Sequence, residues 1–424
     1  MSTAPHPLRF ASYRAYLLAR FSSTIALSSM SIIIGWQMLE LARQTMGVKE
    51  SAFMLGMIGV AQFVPLFLLT PVTGLAADTF SRRWIARATT ALLLLTAAAL
   101  GALTYLDRLS PTALYGAAVM IGVARAFSGP AYSALAPNLV PPESLPTAIA
   151  LGATVWQVGT IAGPGLGGLL FAIHPDLAYG TSTGLFALAV AMLFLIGPVP
   201  QPPVGRNSRP LARIVQGFSY VRRNRLVLAA ITLDLFAVLL AGATALIPLF
   251  AREVLGVGAD GFGLLAASFG IGAAVVAIWF SFSPMKSNVG VKMLWAVVVF
   301  GTAIAVFGLS RSYWLSVGAL AVAGAADMVS VYVRSSLIQL HTPDEMRGRV
   351  SAVSQLTISA SNELGEAESG LLASVLGPVA AVVLGGAGAV VVTLLWSRLY
   401  PELRLAKTFD PPELLDGAKT GAKL

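Results

Sequence analysis

The sequence predicts an all-α membrane protein of twelve transmembrane helices, arranged as two related six-helix bundles. Three observations predict it. Hydrophobic residues make up 56% of the 424 and charged residues 11%, and the mean hydropathy is +0.79, past the balance usual for a soluble domain. Apolar stretches of about 20 residues, enough to cross a bilayer at 1.5 Å per residue, recur twelve times. The second half of the chain also repeats features of the first at a fixed offset.

Taken in order, the first span covers 16–40; Arg9 and Arg14 precede it, and no small-residue cleavage site follows its first apolar run, so it reads as a spanning helix and not a signal peptide. Spans at 53–77 and 84–106 flank a charged turn with Asp78, Arg82 and Arg83. Spans at 112–136, 147–173 and 180–198 complete the first bundle, with joints marked by charge, Pro or Gly. Residues 199–225, VPQPPVGRNSRPLARIVQGFSYVRRNR, are Pro-rich and then basic, and form the central linker. Six further spans follow at 226–251, 261–283, 291–310, 313–340, 348–376 and 378–399. The expected units are therefore a bundle over 1–198, a linker over 199–225, a bundle over 226–400 and a tail over 401–424.

Lysine and arginine collect on one side: the N-terminus, the 78–87 turn, the linker, Lys286, Lys292, Arg347, Arg349 and the tail. Arg43, Lys49, Arg108, Arg252 and Arg311 fall on the other. The positive-inside rule then puts both termini in the cytoplasm. The net charge of +9 is spread along one membrane face without interleaved aromatics, which argues against nucleic-acid binding. Cysteine is absent and His6, His174 and His341 are scattered, so no metal site or thiol chemistry is expected, nor any cofactor. A Rossmann reading of Gly163-x-Gly165 fails for want of a soluble strand and an acidic ribose ligand. No Walker motif, HExxH or nucleophile elbow appears, so no enzyme is expected.

At an offset of 202, Gly122 meets Gly324, Ser128 meets Ser330, Leu135 meets Leu337, Pro141 meets Pro343 and Glu143 meets Glu345. Parallel repeats of this kind are a mark of secondary transporters. The same register sets Arg125 opposite Asp327 and Pro164 opposite Glu366, so the halves differ in charge at equivalent mid-membrane places and imply a cavity with a basic and an acidic side.

Ionisable residues inside a membrane are costly and point to function. Those near mid-helix are Arg125, Asp234, Asp327, Glu363, Glu366 and Glu368, with Arg334 two turns from Asp327. The deep acids outnumber the deep arginines, and an unpaired carboxylate in low dielectric takes up a proton. Glu366, Asp234, Glu363 and Asp327 are thus the candidates for proton coupling; that Arg334 and Asp327 merely pair with neighbours and so staple the tenth and eleventh spans is an equal reading of those two. Arg20 lies close enough to its helix end to snorkel. Arg125, Tyr132, Gln157, Arg334, Asn362 and Gln37 are the candidate cavity lining, although a polar residue in an apolar span serves equally to bond a neighbouring helix.

In GLAADTFSRR (74–83), Gly74, Asp78, Arg82 and Arg83 resemble the signature between the second and third helices of the major facilitator superfamily; the sequence departs from it at Thr79 and Ser81, and the matching turn of the second half, SFSPMKSNVGVK, lacks the Asp. GWQMLEL (35–41), TPDEMRGRVSAV (342–353) and SNELGEAESG (361–370) are similar to the branch that contains bacterial enterobactin and macrolide exporters. The resemblance spans essentially the whole chain. It implies a gating role for Gly74, Asp78, Arg82 and Arg83 at the cytoplasmic mouth. Gly159, Gly163 and Gly167 recur every four residues, next to Pro164 and Gly168, and small residues so spaced let a neighbouring backbone approach. In the superfamily this pattern marks exporters that work by antiport, which implies a bent seam where the halves meet. The expectation is an inner-membrane exporter of a small amphiphilic or siderophore-like molecule in exchange for protons, acting as a monomer in the lipid bilayer. An importer with the same fold, and a channel or non-transporting sensor, are the alternatives.

Overall fold

An apolar run inside a bilayer finds no water for its amides, so it satisfies them within a helix. The computed structural model follows this rule; it describes residues 5–198, 210–283 and 285–409, with the side chains at 71, 74–79, 146, 210–214, 243, 260 and 344–345 also outside the description. The first six spans are α1 (Ala11–Thr45), α2 (Val48–Thr79), α3 (Arg82–Tyr105), α4 (Pro111–Leu135), α5 (Leu145–Ile173) and α6 (Pro175–Leu195). A short α7 (Pro210–Arg223) lies in the linker region. The seventh span begins as α8 (Arg225–Leu240), continues through a 3-10 turn into α9 (Ile247–Leu249) and ends in a π-helical turn (Phe250–Val254). Then come α10 (Ala259–Phe282), α11 (Val289–Leu309), α12 (Tyr313–Leu340), α13 (Asp344–Leu376), α14 (Pro378–Leu399) and a last turn, α15 (Pro401–Leu405).

Local signals set several boundaries. Ser110 accepts a hydrogen bond from the Ala113 amide at 3.3 Å with Pro111 behind it, and the Asn224 side chain accepts from Val227 at 3.2 Å, both N-caps of the usual kind. Gly377, at φ +91°, ends α13 and starts α14. Helices α1, α2 and α13 run past the expected spans at their polar ends, because nothing there breaks the helix.

Among the described residues, eleven helices or helical runs are long and apolar enough to cross a membrane. The one missing from that set is α13, whose 33 residues include Glu363, Glu366 and Glu368. A spanning helix with this much charge needs protein or water beside it. The seventh span, expected as one run over 226–251, is broken after Leu240. There Gly242 packs so closely on the Gly365 carbonyl of α13 that a side chain has no room, and Pro248 follows.

Helix α1 packs on α5 and α6, α2 on α4, and α3 on α4 and α6; in the second bundle α12 packs on α10 and α11, and α14 on α11 and α8. The bundles meet mainly through α2 against α13 and α5 against α10. These two seams are equivalent under the internal repeat, the second span meeting the eleventh and the fifth meeting the eighth.

Candidate functional site

Both seams are tightest toward the end of the molecule that carries the α1–α2, α5–α6 and α13–α14 turns, opposite the termini. A Cβ placed on Gly56 of α2 would stand 2.8 Å from the Gly370 Cα of α13, and one on Gly168 of α5 would stand 2.5 Å from the Gly263 Cα of α10. Glycine pairs let the backbones touch. Around them Arg43 Nε lies 2.7 Å from Glu253 Oε1, the Trp36 and Phe262 rings stack at 4.6 Å, and Lys49 donates to the Val375 carbonyl at 2.8 Å. This mouth is closed.

Toward the termini the seam surfaces come apart. On α5, Ile161, Gly165 and Gly168 touch α10, but on the same face one and two turns earlier Gln157 is half-buried and Thr154 exposed. On α13 a polar stripe at helical spacing runs through Ser351, Gln355 and Asn362, all exposed, to half-buried Glu366. The polarity that sets α13 apart from the other spans thus lies along a crevice open at the terminal end.

At the head of the crevice Arg125 of α4 donates to Gln62 of α2 at 3.3 Å and forms an ion pair with Glu363 of α13. The Glu363 side chain is 4% exposed and the Arg125 side chain 28%. The position is set by small residues: Gly122, one turn from Arg125, lies against the Gln62 carbonyl, and a Cβ on Gly59 would come 2.9 Å from Glu366 Cβ. Glu366, one turn from Glu363, therefore backs onto the α2–α13 seam. One guanidinium thus serves two carboxylates, paired with Glu363 and within electrostatic reach of Glu366. The basic side and the acidic side expected from the repeat are joined here across the two bundles.

The other expected residues divide. Asn362 and Gln157 lie on crevice walls. Gln37 does not: it is 5% exposed, accepts from the Tyr179 hydroxyl at 2.6 Å and donates to Thr104 at 3.3 Å, tying α1 to α6 and α3. Tyr132 is 7% exposed and bonded to Thr90. Both hold the first bundle together, because a buried polar group in an apolar bundle takes the nearest polar neighbour. Arg334 pairs with Asp234 of α8 and not with Asp327, so its staple joins the seventh and tenth spans, not the tenth and eleventh. Asp327 instead lines a small cavity with Asp234, Ser330, Val297 and Phe300, inside the second bundle and apart from Glu366. Glu368 carries a buried Oε2 without a hydrogen-bond partner among the described residues.

The glycine motif also divides. Side chains at Gly159, Gly163 and Gly167 would strike Thr24, Ser28 and Ser29 of α1, and Ser29 donates to the Gly163 carbonyl at 2.7 Å. That i, i+4 row therefore packs α5 within its own bundle, and the seam between bundles belongs to Ile161, Gly165 and Gly168, a second face of the same helix. Pro164 sits inside α5 between the two rows, where it lacks an amide to donate. The two rows predict different outcomes. With a cysteine placed at exposed Ser31 in this cysteine-free chain, Gly168→Leu is expected to raise maleimide labelling from the closed side several-fold, whereas Gly163→Leu is expected to lower the yield of folded protein. Unchanged labelling in Gly168→Leu would mean that the contact does not keep the mouth shut.

Arg82 and Arg83 donate to the carbonyls of Ala134 at 3.1 Å and Ile196 at 3.0 Å; they hold the ends of α4 and α6 in the first bundle, as cations at helix C-termini do. These contacts run within one bundle and not across the mouth between the two. The side chains of Gly74 and Asp78 lie outside the described residues. Sequence reasoning missed Arg87, 6% exposed, which donates to the Leu193, Phe194 and Ile196 carbonyls and stacks against Trp84 and Phe194. The signal was a third arginine one turn into an apolar helix. A groove of about 730 Å³ between α2 and α4 is lined by Phe53, Val64, Leu68 and other mostly apolar residues, with Tyr115, whose hydroxyl donates to the Met54 carbonyl at 3.0 Å, as its polar member. Among the described residues no group of three His, Cys, Asp or Glu is placed to hold a metal ion.

The chain is 29% identical over 410 residues to the enterobactin exporter EntS of Citrobacter koseri, covering 96% of this chain and 95% of that one. It is 27% identical over 406 residues to the enterobactin exporter EntS of Escherichia coli, covering 95% and 94%. In fold it matches the crystal structure of a D-xylose–proton symporter with a TM-score of 0.72 at 12% identity, over 92% of this chain and 98% of that one. Residues 2–410 match the transmembrane secretion effector family. The chain belongs to that family, and is a multi-pass secondary transporter of the major facilitator fold.

Proposed function

We propose that the protein exports a siderophore-like amphiphilic molecule from the cytoplasm in exchange for protons, by alternating access, as a monomer in the bacterial inner membrane with both termini cytoplasmic. In this reading the units are 1–198, 199–225, 226–400 and 401–424, and the crevice at the terminal end is the inward-open state. The observation that carries it is the cluster of Arg125, Glu363 and Glu366, built from both bundles where the two seams close. Opening the closed mouth separates α2 from α13, so it breaks or re-forms the Arg125–Glu363 pair and changes the number of protons the two carboxylates hold. Glu366 is the coupling residue; Asn362, Gln157 and Arg125 face the cargo; Gly168 and Gly165 close the outer mouth, and Asp78 closes the inner one. The names of the relatives support a siderophore as cargo. Inside-out vesicles with an acid lumen test the reading. Offered a panel of siderophores and lipophilic cations, they are expected to accumulate a siderophore, and to lose it when a proton–potassium exchanger collapses the gradient. Accumulation driven equally by a sodium gradient, or efflux under the same acid lumen, contradicts the proposal.

A further inference from the structure

Arginines deep in the helical body are matched by acceptors: Arg125 by Glu363 and Gln62, Arg334 by Asp234, and Arg87 by the last carbonyls of α6. Arg20 of α1, nearer its helix end, is matched only by a hydroxyl, although Arg82 and Arg83 also keep a buried Nε without a hydrogen-bond partner among the described residues. Arg20 donates to the Tyr16 hydroxyl at 2.8 Å, its Nε is buried without a hydrogen-bond partner, and it forms no ion pair with a carboxylate among the described residues. A cation held this way in a membrane protein is costly unless something meets it.

The residue is also held in place. Tyr16 donates to the Tyr132 carbonyl at 3.1 Å, so its oxygen is left as an acceptor aimed at Arg20. Its ring stacks on Tyr13 at 5.8 Å and lies 6.0 Å from Tyr132. Tyr13 in turn donates to the Ala148 carbonyl of α5 at 2.5 Å. Three buried rings from two helices fix one end of the guanidinium. Snorkelling, in which the side chain simply extends to water, needs none of this.

Its direction follows from the helix. Arg20, Thr24, Ser31 and Gly35 fall on one face of α1 at helical spacing. A Cβ on Gly35 would stand 3.7 Å from Pro248 in the second bundle, so that face looks across the interface. Ser31 on the same face is exposed and Arg20 is half-buried, as on a wall from which the opposite bundle has withdrawn, while Thr24 lies at the edge of that face against Gly159 of α5. Arg20 thus lies on the crevice wall, about 16 Å nearer its mouth than Ser31.

We propose that Arg20 is a docking site for an anionic oxygen group, a carboxylate, phosphate or sulfonate, carried by cargo that enters the crevice from the terminal end. This rests on the export reading for the direction of entry. A charge-assisted bond to an oxyanion is the strong use of a guanidinium, and Nη2, which is neither bonded to Tyr16 nor buried as Nε is, supplies the donor. An anion held here meets Arg125 next, deeper in the same crevice.

Purified full-length protein in nanodiscs of zwitterionic lipid tests the site by equilibrium dialysis with naphthalene-2-sulfonate and its neutral sulfonamide. Wild type is expected to prefer the sulfonate. Arg20→Gln is expected to weaken sulfonate binding about tenfold or more and leave the sulfonamide unchanged; Arg20→Lys retains part of the preference, and Tyr16→Phe loses several-fold. Absence of sulfonate binding to wild type, or equal binding in Arg20→Gln, overturns the proposal. A second arm adds phosphatidylglycerol to the discs: if it displaces the sulfonate from wild type, the anion site serves a lipid headgroup and the cargo assignment falls. Binding is read at equilibrium without a gradient, so its failure leaves proton-driven export standing, and failure of gradient-driven transport leaves the Arg20 result standing.

Discussion

Glu366→Gln is expected to abolish uphill, gradient-driven transport while leaving substrate binding and substrate–substrate exchange close to wild type. The substitution keeps the volume at the α2–α13 seam, where Gly59 leaves room for this side chain, but removes the proton that changes with access. Arg125 is engaged by Glu363, so Glu366 has no cation of its own, and an uncompensated charge in the membrane costs several kcal/mol. On the proposed mechanism the carboxylate exchanges its proton whenever the pair beside it is made or broken. Counterflow in proteoliposomes, with labelled substrate outside and excess unlabelled substrate inside, separates the two activities. If both uphill transport and counterflow persist, Glu366 is structural; if both vanish, it binds cargo and does not couple.

Asp234→Asn is expected to destabilise the protein strongly. The Asp234–Arg334 pair links α8 to α12, with side chains 7% and 5% exposed. Removing one partner strands a buried charge, which in known cases costs about 3–5 kcal/mol, whereas replacing both ions with apolar groups of similar volume is often neutral. Thermal unfolding of the purified protein should therefore show a large loss for Asp234→Asn, a similar loss for Arg334→Met, and recovery in Asp234→Leu combined with Arg334→Met. If the double variant transports against a gradient, these two residues are a staple and take no part in coupling. A double variant as unstable as either single change would contradict the staple.

The course of the chain was legible because hydropathy acts over whole helices. Twelve apolar runs and their repeat left little freedom in a bilayer, and the fold follows. What was not legible lies between helices. Sequence spacing suggested Asp327 as the partner of Arg334, since both sit on one helix, but an ion pair is decided by which helix lies alongside, and α8 brings Asp234 closer. The row Gly159, Gly163, Gly167 was visible as a periodic pattern, yet periodicity names a face without naming the neighbour. A second row, at Ile161, Gly165 and Gly168, follows helical spacing as well and forms the seam between bundles. The break at Gly242 had only a lone glycine and Pro248 to announce it. Gln37 and Tyr132 show the commonest fate of a polar residue in an apolar span, which is to bond the next helix. The charge difference between halves at Arg125 and in the eleventh span was the sequence signal that led to the cluster itself.

On the proposed mechanism, the number of protons held by the Arg125–Glu363–Glu366 cluster changes when cargo binds and access switches. Proton release measures this directly: purified protein in weakly buffered detergent solution, with a pH-sensitive dye, is mixed with the siderophore identified by vesicle transport. Wild type is expected to release protons in proportion to the cargo bound, and Glu366→Gln to bind the same cargo with no release. Equal proton release from wild type and Glu366→Gln, at equal occupancy, would contradict the account.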